Sequence, residues 1–577
     1  MNVENKTALL PESLHPMPPD ADLPIRSTYL HEEALRELGA RLAGGGPVID
    51  SELDGLDFHA RIDAIADTIL KVYRITDAAQ SAGETVTPAA QWLLDNHYLI
   101  EEAIYQVKRN LPPRFYRQLP TVRTPGGRSI PRVLAIAWAY VSHTDSTVML
   151  QSLRTMVQGF QSVEPLRIGE LWALPTLLRF VLTENLRRLA LRVNRSRELR
   201  QMANEVADRV LATDDEAARE RFLAAYTRHA RDTTFATQLL YRLRDGSQNS
   251  GRALSWLEAE LEKHGTDAEE SIVAEHRTLS SGNVTMGNIV RGLRMVNDTD
   301  WTTWFEGVSQ IDSLLRDNTN FSDLDFQSRD QYRNTIEKLA RRSDQSEYVV
   351  AKKAIELAAG AGEGGAPLDI GFFLTGPRRP ELEKAIGYRL PFGQHFLRFY
   401  RKTGWLGLAV PVVVLTAFFL WLAAVALSDA GLSDASLTLL LVILAIPAAD
   451  GAVGLFNTIA LLFLKPSTLV GYDFKDGLPA DAKTLVVIPS LIGSREDVEE
   501  IVRNLEVHHL ANVRGEIYFA VLSDWPDSQM EQSDADVEIL AHASKKVAEL
   551  NARHPKEGVP RFHLLHRRRL YNEGEHC

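Results

Sequence analysis

The residues best placed for chemistry sit at the ends of two apolar runs near the C-terminus. Leu485–Ile488 reads as a buried strand stopped by Pro489, with Ser490 next, and a second buried strand in EIYFAVLSDW closes on Ser523-Asp524. A carboxylate at a strand end accepts hydrogen bonds from a uracil or a ribose. Asp524 is therefore a candidate nucleotide-sugar contact, and equally a turn or helix cap leading into Pro526-Asp527. Three acid pairs have a spacing that suits a divalent cation: Asp298-x-Asp300, Asp323-x-Asp325 and Asp534-x-Asp536. The first two fall in helical sequence and the third immediately precedes a helix, where capping accounts for it. A metal pair belongs at a strand end in the crevice. His508 and His509 point to different faces of one helix, which argues against a shared metal. Gly360-x-Gly362-x-x-Gly365 matches a dinucleotide fingerprint but follows a helical run and precedes Pro367, so it reads as a linker.

The elements that carry these residues change class along the chain. Residues 1–24 read as a flexible N-terminal arm and 25–400 as a helical region. Ile62, Ile65, Ile69 and Tyr73 share one face, and a stronger helix opens at Thr87-Pro88 with the stripe Leu93, His97, Ile100, Ile104, Val107 and Leu111. His97 on that stripe reads as a core histidine. A further helix buries Leu174, Leu178, Val181, Leu182, Leu186 and Leu189. Its Arg179, Glu184, Arg187 and Arg188 are expected to form a solvated face.

Two apolar stretches follow. Residues 404–427 carry no charge over a length that crosses a hydrocarbon core, and 435–464 form a second span holding Pro447 and Asp450. Asp450 fits either a neutralised position or a polar pathway. Arg398, Arg401 and Lys402 precede the first span and Lys465 follows the second, whereas the connecting loop holds only Asp429 and Asp434. The positive-inside rule then puts both long flanks in the cytoplasm. From 481 the periodicity becomes strand–helix–strand, with Ser494 capping the helix between the strands, as in a right-handed parallel unit. The fold class expected is mostly α: a long cytoplasmic helical region, a two-helix transmembrane hairpin and an incomplete α/β domain over 481–577.

Composition excludes other classes. A net charge of −12 argues against a nucleic-acid partner. The single cysteine, Cys577, rules out an intrachain disulfide and a cysteine-based zinc or iron–sulfur site. The N-terminus lacks the shape of a signal peptide, which points to a cytoplasmic start.

Six blocks together resemble the bacterial cyclic β-1,2-glucan synthases: residues 93–120, 168–190, 369–383, 486–512, 519–528 (FAVLSDWPDS) and 566–575 (HRRRLYNEGE). The resemblance implies a bacterial inner-membrane enzyme that polymerises glucose from UDP-glucose through a processive GT-A type transferase domain. It implies Mg2+ or Mn2+ with UDP-glucose in the complete enzyme, and no cofactor in this chain. Ile488, Pro489 and Ser490 match the family's first strand end, expected to pack under or contact the uridine. Asp524 matches the acidic residue after the second long strand. His566–Arg569 resemble the basic run before the catalytic motifs and are expected to be disordered here.

The sequence departs from that pattern at EGEHC. The transferase needs an acid pair for the metal and an acidic base for the acceptor hydroxyl, and both belong further along the family's chain. The expectation is an N-terminal fragment with no catalytic residue of its own, inactive alone. Its expected partners are a lipid bilayer, UDP-glucose, and the missing C-terminal portion or another synthase chain. The alternative is a non-catalytic, membrane-anchored helical scaffold or regulator of a full-length synthase.

Overall fold

The computed structural model describes residues 23–44, 58–123, 129–213, 215–244, 250–361, 369–428, 433–463, 469–474, 477–512, 514–528 and 530–570. The arm up to residue 22, Gly362, Gly365, Asp429, Leu464, Lys465 and Cys577 lie outside the described residues. The chain is mostly α-helical, with two helices of membrane length and a partial parallel α/β domain near its C-terminus. It divides into two compact units: Met1–Asn318 with Thr335–Arg389, and Thr319–Asn334 with Leu390–Cys577.

The first unit is built on the 44-residue helix Ile168–Leu211, about 66 Å long at 1.5 Å per residue. Its start is doubly capped. Glu170 Oε2 accepts from the Arg167 N–H at 2.9 Å, and Glu347 Oε2, from the helix Glu347–Gly360, accepts from the Ile168 N–H at 2.8 Å. The stretch from Ile168 to Ala190 is buried on nearly every side. Helices Phe58–Ser81, His97–Asn110, Arg132–His143 and Ala268–Asp298 pack against it. Its later turns enter a second core, where Ala203, Val206 and Val210 meet Phe235, Leu239 and Leu257.

This packing overturns two sequence expectations. Arg179, Glu184, Arg187 and Arg188 are buried, not solvated. A helix surrounded on all sides has no face left for water, so its charges pair internally. Glu184 accepts from Arg187 Nε and Nη2 at 3.0 Å each and from Arg188 Nε at 2.9 Å, with Arg61 Nε at 3.6 Å. Burial pushes the Glu184 carboxyl up, but the guanidinium groups outweigh it and hold the group below its ordinary value. Second, the helix opening at Thr87 does not run unbroken to Leu111. It stops at Asp95 and restarts at His97. Buried Asn96 stands at the break, donating to the Trp92 carbonyl at 2.9 Å and accepting from Arg294 Nη2 at 2.6 Å. An asparagine amide that bonds outside the helix competes with the helical ladder. His97 is partly buried, its ring tilted against Tyr73 with centroids 3.9 Å apart.

Two glycines set the closest helix crossing. Gly39 on Glu32–Ala43 and Gly159 on Leu150–Gln161 meet backbone to backbone, so a Cβ on either would overlap the facing carbonyl of Met156 or Arg36.

In the second unit, Leu406–Leu427 and Asp434–Phe463 are long and apolar enough to cross a membrane. They pack as a hairpin, with Gly451 against the Phe419 ring, and almost all their side chains remain exposed. Asp450 lies exposed on the second helix. The segment beyond, Leu469–Phe474, is pinned to residues 323–328: Asp325 N–H donates to the Gly471 carbonyl at 2.9 Å, and Asp473 N–H to the Asp323 carbonyl at 2.8 Å.

A three-stranded parallel sheet follows, in the order β3 (Thr484–Leu491), β4 (Ile517–Asp524), β5 (Phe562–His566). A small antiparallel hairpin, β1 (Thr121–Arg123) and β2 (Ser129–Pro131), belongs to the first unit. β3 does not stop at Pro489 as the sequence implied. It continues to Leu491, because an edge strand tolerates a proline that cannot donate on its unpaired side. Helices Arg495–Ala511 and Asp534–Arg553 cover one face of the sheet through Val498, Val502, Leu505, Ala543 and Val547. The other face exposes Leu485, Val487, Leu491, Leu522 and Leu565, so β3 is not the fully buried strand its composition implied.

Two outcomes follow for the first unit. Gly159→Ala must separate the two helices and should cost about 3 kcal/mol in urea unfolding, as overpacking does. Glu347 is buried, and burial raises its carboxyl to about 7 against a bond from the Ile168 N–H that lowers it; Glu337 and Glu170 raise it further and Arg167 opposes them. A carboxyl raised in the folded state stabilises below its unfolded value and loses that contribution as pH climbs towards 7. Glu347→Gln, which keeps a cap acceptor, should therefore gain on the wild type between pH 4.5 and 7, by up to about 3 kcal/mol, in urea titrations at successive pH values.

Candidate functional site

The carboxyl edge of the sheet is where a parallel α/β unit binds ligands. Register fixes which residues meet there. Ser490, Ser523 and His566 lie side by side on the helix-covered face, and Leu491 and Asp524 on the open face. Of the residues singled out from the sequence, Ile488 packs with Val486 against the helix-side core beneath the edge. Pro489 lies on the open face in register with Leu522. Ser490 and Asp524 thus share the edge but project to opposite faces.

Asp524 has two attachments. Its Oδ1 accepts from the Trp525 N–H at 2.9 Å, and its Oδ2 faces Arg567 Nη1 at 3.4 Å. The side chain remains one-third exposed. The arrangement combines a bond to the next amide with an oxygen open to solvent and to an exposed guanidinium. The helix Arg495–Ala511 also starts at this edge, but its first turn is already used: Ser494 Oγ accepts from the Asp497 N–H, and Asp497 Oδ2 accepts from the Gly493 N–H. The cation available beside Asp524 is Arg567.

Sequence reasoning missed the groups that hold this edge. Ser523 Oγ and His566 Nδ1 are 2.8 Å apart, and the Trp525 and His566 rings meet edge-on at 4.4 Å. Burial depresses the His566 imidazole, Asp524 and Asp536 pull it upward, and Arg569 adds to the depression. Arg569 is ordered, contrary to expectation. It donates to the Pro526 carbonyl at 2.7 Å, the Met530 carbonyl at 2.9 Å and Asp536 Oδ2 at 3.2 Å. The signal was present as His566–Arg569 directly after a strand, where alternate residues turn back across the edge.

Asp534-x-Asp536 plays the capping role expected of it, and one acid of each of the other two pairs also caps a helix. Asp300 accepts from the Thr302 N–H at the start of Trp301–Val308. Asp325 accepts from the Ser328 N–H, and hydrogen bonds from Ser328 hold it below the ordinary carboxylate range. Asp536 closes a capping box with Ser533. His508 is exposed while His509 is buried against Phe519, Phe562 and His554, so the pair shares no ligand position. Burial lowers His509, with Arg561 and His554 adding to it and Glu506 opposing. Among the described residues no group of three His, Cys, Asp or Glu is poised for a metal. The strand edge does not fit Mg2+ or Mn2+ by itself: its carboxylate, Asp524, already serves an amide and a guanidinium, and such ions want several oxygen ligands.

These features define a class: a helical chain with two membrane-length helices and a partial parallel α/β domain whose strand edge joins an acid to a basic run. Comparison with curated proteins agrees with the resemblance read from the sequence. The chain is 52% identical over 559 residues, 96% of its length, to cyclic beta-(1,2)-glucan synthase NdvB of Rhizobium meliloti (strain 1021). It spans only 20% of that protein's length. No family model matches the chain.

Arg569 should be separable from ligand contact. Arg569→Ala is expected to raise amide hydrogen exchange over residues 526–536 about tenfold or more while leaving β3 protected. Unchanged exchange there would show that the loop holds its own shape.

Proposed function

We propose that this chain is part of a membrane glucosyltransferase that builds β-1,2-glucan from UDP-glucose, and that it contributes the nucleotide-binding half of the transferase domain. The observation that carries the reading is the identity to the Rhizobium synthase, which runs through the helical region, the apolar hairpin and the sheet alike. Geometry gives it a mechanism. Uridine would lie across the carboxyl ends of β3 and β4, over Pro489 and Ser490, with Asp524 Oδ2 accepting from the uracil or ribose. Arg567 would exchange its long contact with Asp524 for the diphosphate, whose negative charge rises as it leaves.

The apolar hairpin would hold this domain at the bilayer. Arg398, Arg401 and Lys402 before the first helix and Lys465 after the second support cytoplasmic flanks, the side where UDP-glucose is made available. The cation that supports the leaving UDP, Mg2+ or Mn2+, would be bound by residues other than those described here.

Binding of UDP to the full chain in detergent micelles tests the site, by isothermal titration. Asp524→Ala should weaken UDP about tenfold or more, the loss of one charge-assisted hydrogen bond, and Arg568→Ala should leave it unchanged. UDP binding indifferent to Asp524→Ala, or absent from the wild-type chain, would refute the assignment.

A further inference from the structure

A pocket of about 630 Å3 opens in the first unit, lined by Gln91, Trp92, Asp95, Asn96 and Arg294. We propose that it is a binding site for a neutral glucan oligosaccharide. The glucan identity rests on the function proposed above; the polyol chemistry rests on the pocket itself.

The pocket exists because the helix opening at Thr87 breaks at Asn96. Pro88–Asp95 ends there and presents Trp92 and Asp95 beside Ala268–Asp298, which supplies Arg294. Trp92 is half-buried, and its indole lies against Gly287 of that helix, where a Cβ would already stand 3.4 Å from the six-membered ring. The helix backbone at Gly287 thus packs against the indole. An indole offers a surface on which the apolar C–H face of a pyranose stacks, with the electron-rich ring face towards the C–H hydrogens.

The polar groups around it are held by one another. Gln91 Nε2 donates to Asp95 Oδ1 at 2.7 Å, Gln80 Nε2 donates to Gln91 Oε1 at 3.1 Å, and Arg294 Nη2 donates to Asn96 Oδ1 at 2.6 Å. Such a network leaves a carboxylate oxygen and guanidinium N–H groups with fixed directions, matching hydroxyls that donate and accept at once. One cation and one anion cancel, which favours a neutral ligand: a phosphate drawn to Arg294 would meet Asp95. The volume lies within the range of small-molecule sites. A site for product in the helical region would keep the glucan bound to the same polypeptide that carries the strand edge.

The test is calorimetric titration of the full chain in detergent micelles with a linear β-1,2-glucan oligosaccharide, alongside UDP and inorganic phosphate. Saturable glucan binding is expected, weakened about tenfold or more by Trp92→Ala, retained by Trp92→Phe and unaffected by Asp524→Ala. Arg294→Ala, at an exposed position, should weaken it too and serves if Trp92→Ala fails to fold. No glucan binding, glucan binding indifferent to both Trp92→Ala and Arg294→Ala, or phosphate binding abolished by Arg294→Ala in place of glucan binding, would overturn the proposal. Glucan binding without UDP binding would leave this pocket standing and remove the nucleotide site instead.

Discussion

The first unit depends on one buried carboxylate. Glu184 sits midway along the part of the long helix that is enclosed on all sides, and three arginines converge on it. Two of them bring another part of the chain with them. Arg61 comes from Phe58–Ser81, while Arg188 also donates to the Leu23 carbonyl at 3.0 Å and lies over the Trp138 ring of Arg132–His143 at 5.2 Å. One residue along, Asn185 Oδ1 takes the Ile25 N–H at 2.7 Å. The chain entering the unit, a flanking helix and the central apolar helix are thus registered against the same two turns. Buried pairs of this kind add little net stability compared with apolar packing, but removing one partner strands a charge, which makes the arrangement exacting about position. A glycine–glycine crossing and a doubly capped helix start impose the same exactness nearby, by sterics and by hydrogen bonding.

What the sequence made legible was whatever depends on near neighbours. Thr87 as a cap, Ser494 as a cap, the Asp534-x-Asp536 pair as a capping feature and the two long apolar helices all follow from local sequence. What failed depended on the third dimension. Hydrophobic periodicity marks the apolar face of Ile168–Leu211 correctly, yet it says nothing about whether the polar face meets water or other helices, and here Glu184 and Arg188 are fully buried. Asn96 reads as an ordinary polar residue in a helix until Arg294, far along the chain, is placed opposite it. Pro489 reads as a strand stop unless β3 is known to be an edge.

The candidate site was half legible for the same reason. Its strand ends could be read from apolar runs followed by Ser490 and Asp524, and their sharing one edge follows from parallel pairing. The groups that shape the edge come from β5 and beyond, so their role depended on strand order. Ser523, His566 and Arg569 hold the turn after β4, and Arg567 is drawn to the face on which Asp524 stands. A basic run beside an acid is ordinary surface chemistry in sequence. Laid across the end of a parallel sheet, it sets a carboxylate and a guanidinium together on one edge.

The second unit shows how sequence order and structural order part company. Residues 319–334 belong with the sheet and hairpin although both flanking stretches belong to the first unit. The reason is local and specific. Phe321 and Leu324 are buried, and Arg333 lies over the Phe321 ring at 5.5 Å. Tyr472 bridges to Leu324, and Ser328 Oγ accepts from the Gly471 N–H at 2.8 Å. A Cβ at Gly471 would stand 2.9 Å from Asp325 Oδ2 and would force that carboxylate to shift. Within the stretch that links the second apolar helix to β3, residues 469–474 are therefore not a free tether. They are held by backbone bonds to a segment that precedes the hairpin in sequence, which is why contact rather than chain order assigns residues 319–334 to this unit.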